Sequence, residues 1–256
     1  MNHKQRGVAI IFNHERIKKM TPRWGSKKDV IELEDTFKTM GFAVRVYQDP
    51  TLESISKILQ SSAEEDYTDM DCLIVVAMSH GHSDCLYSSD NNIYPVNILW
   101  TSFTNNRCPS LAGKPKLFFI QACRGSDLDS GMQMVHQTDS VGCTYSLPIY
   151  ADILVAYSTY EGYYSFRNPD NGSWFVQELC KELKQNWQTR DLLWMMTSVI
   201  RRVAVNYESF NPENRKYHGK KQIPAVVSML TRLLYFGQVP PQLLALLVDQ
   251  QIEYNG

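Results

Sequence analysis

The chain has 256 residues, 43% hydrophobic and 21% charged, an ordinary composition for one large domain or two small ones with a substantial core. Its 26 Lys and Arg against 27 Asp and Glu leave a formal charge of −1, so the charge favours neither nucleic acid nor a membrane surface as partner. No apolar run approaches the ~18 residues of a membrane span, Val8 to Phe12 is too short for a signal-peptide core, and the 6 cysteines lack any CxxC spacing. A reducing, cytoplasmic environment is therefore the expectation.

Gly7 to Asn13 is continuously apolar rather than alternating and predicts a strand buried on both faces. Ser26 opens a helix with Asp29 in its first turn and Val30, Leu33, Phe37 and Met40 on one stripe, and Gly41 stands where a left-handed C-terminal residue belongs. Phe42 to Tyr47 alternates as a strand, and Leu52, Ile55, Ile58 and Leu59 form the next helical stripe. Cys72 to Met78 and Lys116 to Ala122 predict two further buried strands, with a weakly patterned helix over Tyr94 to Phe103 between them.

Residues 126–147 have no apolar period and predict a long functional or disordered loop. Beyond it come a strand at Asp152 to Ser158, a helix lined by Phe175, Leu179, Leu183 and Trp187, and a second lined by Leu192, Met195, Met196, Val199 and Val203. Pro224 to Leu230 supplies a sixth strand. Strands alternating with helices predict a mostly parallel sheet covered on both faces, an α/β/α sandwich in a single domain, with reactive groups just beyond the carboxyl ends of strands.

Two strand ends carry chemistry: Ser79-His80-Gly81-His82, and Gln121-Ala122-Cys123-Arg124-Gly125. If these strands are neighbours, His80 and Cys123 share one edge, and a thiol beside an imidazole is the minimal equipment for nucleophilic acyl transfer. The imidazole would favour the thiolate and later protonate a departing amine. Gly81 and Cys123 could offer backbone N–H groups to a developing oxyanion. Taken singly, a Cys or His at a strand end is buried structure more often than a catalytic group.

Gln121 to Gly125 resembles the caspase pentapeptide, and the resemblance extends over about residues 6–237: Arg6 to Glu15, Met78 to Gly81, Ala156 to Thr159, Gly162 to Ser165, Gly172 to Phe175 and Lys220 to Pro224 follow in caspase order. Among caspases it is most similar to the short-prodomain effector group. The resemblance implies the caspase-like sandwich with a six-stranded, mostly parallel central sheet. It also implies an Asp-specific cysteine endopeptidase acting in apoptosis, needing no cofactor or metal.

By the same resemblance, Cys123 is the nucleophile, His80 its acid/base partner, and Gly81 with Cys123 the oxyanion donors. Arg23, Gln121 and Arg167 match the pocket for the substrate Asp. Two guanidiniums and an amide satisfy a carboxylate bidentately, whereas a neutral Asn would leave cationic donors unpaired and be rejected by several orders of magnitude. Tyr164, Phe166 and Trp174 match the aromatic walls for the preceding substrate residues, with Ser165 also in contact and Asn168 and Phe210 further out. The family usually has Trp where this chain has Phe166, so that wall is smaller here.

The loop at 126–147 resembles the linker cut after Asp during activation, with Asp139 as the preferred site, then Asp129 and Asp127. Cutting would divide a large-subunit region of about residues 1–139 from a small-subunit region of about 140–237, followed by an atypical tail at 238–256. The implied partners are proteins with Asp at the cleaved position, a symmetry mate joined through the last strand, upstream activating caspases and protein inhibitors of caspases. Family members carry a prodomain, yet the first core strand here begins at Gly7, which reads as a trimmed form or one starting at an internal Met. The rival reading, a non-catalytic decoy or regulator of caspases, would normally have lost Cys, His or a pocket Arg, all retained here. His80-x-His82-x-x-Cys85 has zinc-ligand types but no fourth ligand nearby. The sequon Asn171-Gly172-Ser173 reads instead as Ser173 capping the next helix.

Overall fold

Apolar runs and helical stripes assemble as complementary layers. In the computed structural model, which describes residues 3–128 and 148–238, β1 (Gln5–Asn13) leads into α1 (Ser26–Thr39), β2 (Ala43–Gln48), α2 (Leu52–Ala63) and β3 (Met70–Met78). Short strands β4 (Gly81–His82), β5 (Cys85–Tyr87) and β6 (Ile93–Pro95) precede α3 (Ile98–Thr101) and β7 (Lys116–Gln121). The order closes with β8 (Ile153–Tyr157), β9 (Arg167–Asn168), β10 (Gly172–Ser173), α4 (Trp174–Asn186), α5 (Leu192–Asn206) and β11 (Ala225–Ser228).

Six strands form one sheet in the order β11-β8-β7-β3-β1-β2. All neighbours are parallel except β11, which runs antiparallel to β8. This is the six-stranded sandwich the sequence implies. Alternation along β3 divides the core: Cys72, Ile74, Val76 and Met78 pack with α1, α4 and α5, while Leu73, Val75 and Ala77 pack with α2 and α3. Leu33 and Phe37 of α1 and Leu179 and Leu183 of α4 are buried in the first layer. Each such side chain contributes roughly 1.5–3 kcal/mol.

The structure departs from the expected elements in three places. The helix expected over Tyr94 to Phe103 is split, because Pro95 cannot continue a helix and Tyr94 pairs with Leu86 in the β5–β6 ladder; only Ile98–Thr101 is helical. The last strand is shorter than Pro224 to Leu230 and covers Ala225–Ser228, Pro224 lying just ahead of its first residue. Ser173 occupies the N-cap position of α4 but makes no capping hydrogen bond; its hydroxyl donates to Asp29 instead. Gly41 adopts the left-handed conformation after α1, as its position predicts (φ 89°). Asp129, Asp139 and the tail from 239 onward lie outside the described residues. Among the described residues no helix is long and apolar enough to cross a membrane.

Candidate active site

The sheet register creates the site. Met78, the last residue of β3, stands opposite Gln121, the last of β7, so both chains leave the sheet at the same height on the same edge. Ser79 N–H donates to the Gln121 carbonyl at 3.1 Å, extending the ladder one step beyond the strands. A Cβ on Gly81 would lie 2.7 Å from the Cys85 carbonyl oxygen and 2.9 Å from that of Cys123. Only glycine lets the two turns approach this closely.

His80 and Cys123 line one cavity of about 630 Å³, together with Arg23, Gln121, Tyr164, Ser165, Phe166, Arg167, Asn168, Trp174 and Phe210. Ser79, Ala122, Pro169, Glu208, Ser209, Asn211 and Tyr217 complete its lining. His80 Nε2 lies 2.9 Å from the Thr21 carbonyl oxygen. A carbonyl can only accept, so Nε2 carries the proton and Nδ1 is the free base. The Cys123 thiol faces Ser165: its Sγ lies 3.8 Å from the Ser165 carbonyl and accepts from the Ser165 N–H at 3.4 Å. The Cys123 backbone N–H donates to no other group among the described residues.

Burial pushes the Cys123 thiol above its ordinary range, against the Ser165 backbone bond and the fields of Arg23 and Arg167. It also pulls His80 below its usual value, opposed by the Thr21 carbonyl and aided by the same two arginines. The resting pair is therefore neutral thiol and neutral imidazole, not the ion pair that a Cys beside a His suggests. No imidazole–thiol bond is present to favour the thiolate, because the thiol is turned to Ser165.

Arg23 precedes α1 and is 1% exposed. Its Nη1 donates to the His14 carbonyl at 3.0 Å, while Nη2 is buried with no acceptor. Arg167 on β9 donates through Nε to the Trp24 carbonyl at 2.8 Å. Burial and then Arg167 pull the Arg23 guanidinium down to about 9. Gln121 donates to Ser165 Oγ at 2.8 Å, and Ser165 Oγ bonds Ser158 Oγ at 2.9 Å, a buried hydroxyl chain behind the pocket floor. Two neighbouring cations, one with an orphaned donor, form a hole suited to an anion of carboxylate shape.

Known proteins resemble this chain over most of its length. A family profile described as Caspase domain matches residues 6–235. "Caspase-1" of Spodoptera frugiperda is 47% identical over 242 residues, covering 93% of this chain and 81% of that protein. "Caspase drICE" of Drosophila melanogaster is 45% identical over 243 residues, covering 93% of this chain and 71% of that protein. A crystal structure of Caspase-1 from Spodoptera frugiperda superposes with a TM-score of 0.86 at 45% identity, covering 93% of this chain and 94% of that one. This chain belongs to the caspase family. It is a cysteine peptidase that cleaves after Asp, with relatives among the effector caspases of apoptosis.

Aromatic side chains of this caspase line the cavity. Phe166 stacks on Trp174 with ring centroids 4.7 Å apart and touches Tyr164 at 5.2 Å. Tyr164 also meets Tyr217, with ring centroids 5.8 Å apart. Phe210 stands at the rim, 84% exposed, edge-on to His218. Sequence reasoning missed Tyr217, which sits in an aperiodic polar stretch, and Thr21, which acts through its backbone alone. Asp127 is laced into the site wall: its N–H donates to the Gly162 carbonyl and its carbonyl accepts from Tyr164 N–H. Among the described residues no group of three or more His, Cys, Asp or Glu side chains is arranged to hold a metal.

Proposed function

We propose that this caspase hydrolyses the bond after Asp with Cys123 as nucleophile and His80 as its base and acid. The substrate carboxylate enters the hole between Arg23 and Arg167, with Gln121 beside it, and supplies the acceptor that Arg23 Nη2 lacks. This seats the scissile carbonyl over Cys123. As Sγ attacks the carbonyl carbon, the thiol proton passes to His80 Nδ1 while Nε2–H stays on the Thr21 carbonyl. The oxyanion is met by the backbone N–H groups of Cys123 and Gly81. His80 then returns the proton to the departing amine. In the second half Nδ1 takes a proton from water, which attacks the thioester and releases the acid product and the free thiol.

Tyr164, Phe166, Trp174 and Tyr217 enclose the residue before Asp, with Ser165 contacting the peptide backbone; Asn168 and Phe210 meet residues further away. The linker is cut after Asp139, Asp129 or Asp127 by upstream caspases, giving a large piece with His80 and Cys123 and a small piece with Arg167. Asp127 is exposed, with its backbone tied to Gly162 and Tyr164. Two such protomers pair through β11, the enzyme works in the cytoplasm, and protein inhibitors of caspases bind the same cleft.

The observation that carries this reading is one cavity holding His80, Cys123 and a buried arginine donor without an internal acceptor. A fluorogenic peptide ending in Asp tests it on the linker-cleaved chain. The parent should turn it over, Cys123→Ala should lose at least about 10³-fold in kcat, and the matching Asn peptide should resist both proteins. Equal turnover by parent and Cys123→Ala would overturn the nucleophile assignment.

A further inference from the structure

Arg23 and Arg167 belong to different elements, repel each other, and must hold a fixed separation to grip one carboxylate. Arg23 lies ahead of α1, whereas Arg167 sits on β9, whose ladder with β10 has only two residue pairs. So short a ribbon is not rigid by itself. A pocket of this kind requires placement to within about 0.5 Å. Something else must hold β9 in position.

Asp29 in the first turn of α1 does so by geometry. Its side chain is fully buried, and Oδ1 accepts from the Ser173 N–H at 2.8 Å and from Gln177 Nε2 at 3.0 Å. Oδ2 accepts from Ser173 Oγ at 2.6 Å. Ser173 is the direct ladder partner of Arg167. Its hydroxyl forgoes the helix cap its position offers, leaving α4 without a side-chain cap. Such a cap is typically worth ~1 kcal/mol. Gly172 (φ 88°) clears the way, since a Cβ there would lie 2.4 Å from Asp29 Oδ1. The carboxylate also opposes the effect of burial on both Arg23 and Arg167.

We propose that Asp29 is a positioning residue for the arginine pocket: its carboxylate fixes β10, and through the ladder Arg167, against the helix that follows Arg23. The inference rests on the reading of Arg23 and Arg167 as the seat of the substrate carboxylate. Asp29 and Ser173 also lie on opposite sides of the proposed processing linker, so the joint holds the two pieces together at the pocket.

Steady-state kinetics on linker-cleaved enzyme, normalised by titration of active thiols, provides the test. Asp29→Ala should raise KM for a peptide ending in Asp about tenfold or more, equivalent to ~1.4 kcal/mol, while kcat stays within about threefold. Asp29→Asn can still accept both N–H bonds and donate to Ser173 Oγ, and should keep KM within about threefold of the parent. An unchanged KM in Asp29→Ala, or a loss confined to kcat or to the number of active sites, overturns the proposal. So does an Asn variant as impaired as Ala. Should Asp29→Ala fail to fold, Ser173→Ala replaces it with an expected rise in KM of about threefold, and an unchanged KM overturns the proposal equally. Arg167→Ala runs in parallel. An unaffected KM there removes the pocket reading itself, whereas an impaired Arg167→Ala beside an unaffected Asp29→Ala removes only the positioning role.

Discussion

The direction in which His80 is shifted fixes how catalysis should respond to acid. In the proposed mechanism its neutral ring is the base, and burial holds its pKa below the ordinary 6.5. Because the folded value is depressed, the ring stays neutral as pH falls through 6.5 and gains its proton only below it. The acid limb of kcat/KM should therefore have a midpoint below 6.5, measured on the parent with a peptide ending in Asp. A midpoint at or above 6.5 would mean that the ring is more solvated, or paired with an anion. At this scale the reactive side chains were legible because their types and flanking glycine are unusual at strand ends. Thr21 was not, since a carbonyl leaves no mark on a sequence. The role of Asp29 was hidden because an acid in the first turn of a helix has an ordinary explanation of its own.

At the level of elements, β11 is an unfinished edge: it ends the sheet, and its residues run from half-buried Ala225 and Val226 to exposed Val227 and Ser228. Val227 is 51% exposed, and the flanking Ile223 and Met229 are 44% and 37% exposed. An apolar strand edge open to water invites pairing with another chain, and a symmetry mate would bury both edges at once. In the proposed dimer Val227→Asp places like charges across a desolvated edge. It should shift the protein from dimer to monomer at micromolar concentration, read by sedimentation velocity; a dimer of unchanged strength would place the contact elsewhere. The existence of β11 followed from its apolar run, but its antiparallel direction did not, because direction depends on how the chain returns after α5. The Tyr94 to Phe103 stretch shows the opposite failure. Its apolar residues suggest a helix by spacing, while Pro95 and the β5–β6 ladder decide otherwise.

For the molecule as a whole, His14 joins three elements and makes stability depend on pH. Its ring lies between the Met78 and Pro50 carbonyls, at 3.3 and 3.1 Å, and its own carbonyl accepts from Arg23. Burial, the largest influence, holds its pKa down at about 4 against 6.5 in an open chain. Between these values the unfolded chain binds the proton and the folded one does not, so this contribution is complete above 6.5 and is lost as pH falls towards about 4. The loss between neutral pH and pH 5 should be about 2 kcal/mol in urea unfolding of the Cys123→Ala protein. His14→Asn should lack that part of the slope, whatever its absolute stability. An identical slope in both proteins would show that other groups carry the acid sensitivity.

The sequence by itself determined the layers, the run of strands and helices, and the thiol and imidazole at two strand ends. All of these are local patterns of residue type and spacing, written along the chain. Only the tertiary structure decided that β3 and β7 end level, that the resting thiol turns to Ser165, and that Nδ1 is the free nitrogen of His80. It alone brought Asp29 to Ser173, across the distance between the two pocket arginines. These facts depend on register, burial and backbone groups meeting from remote parts of the chain, and no local pattern encodes them.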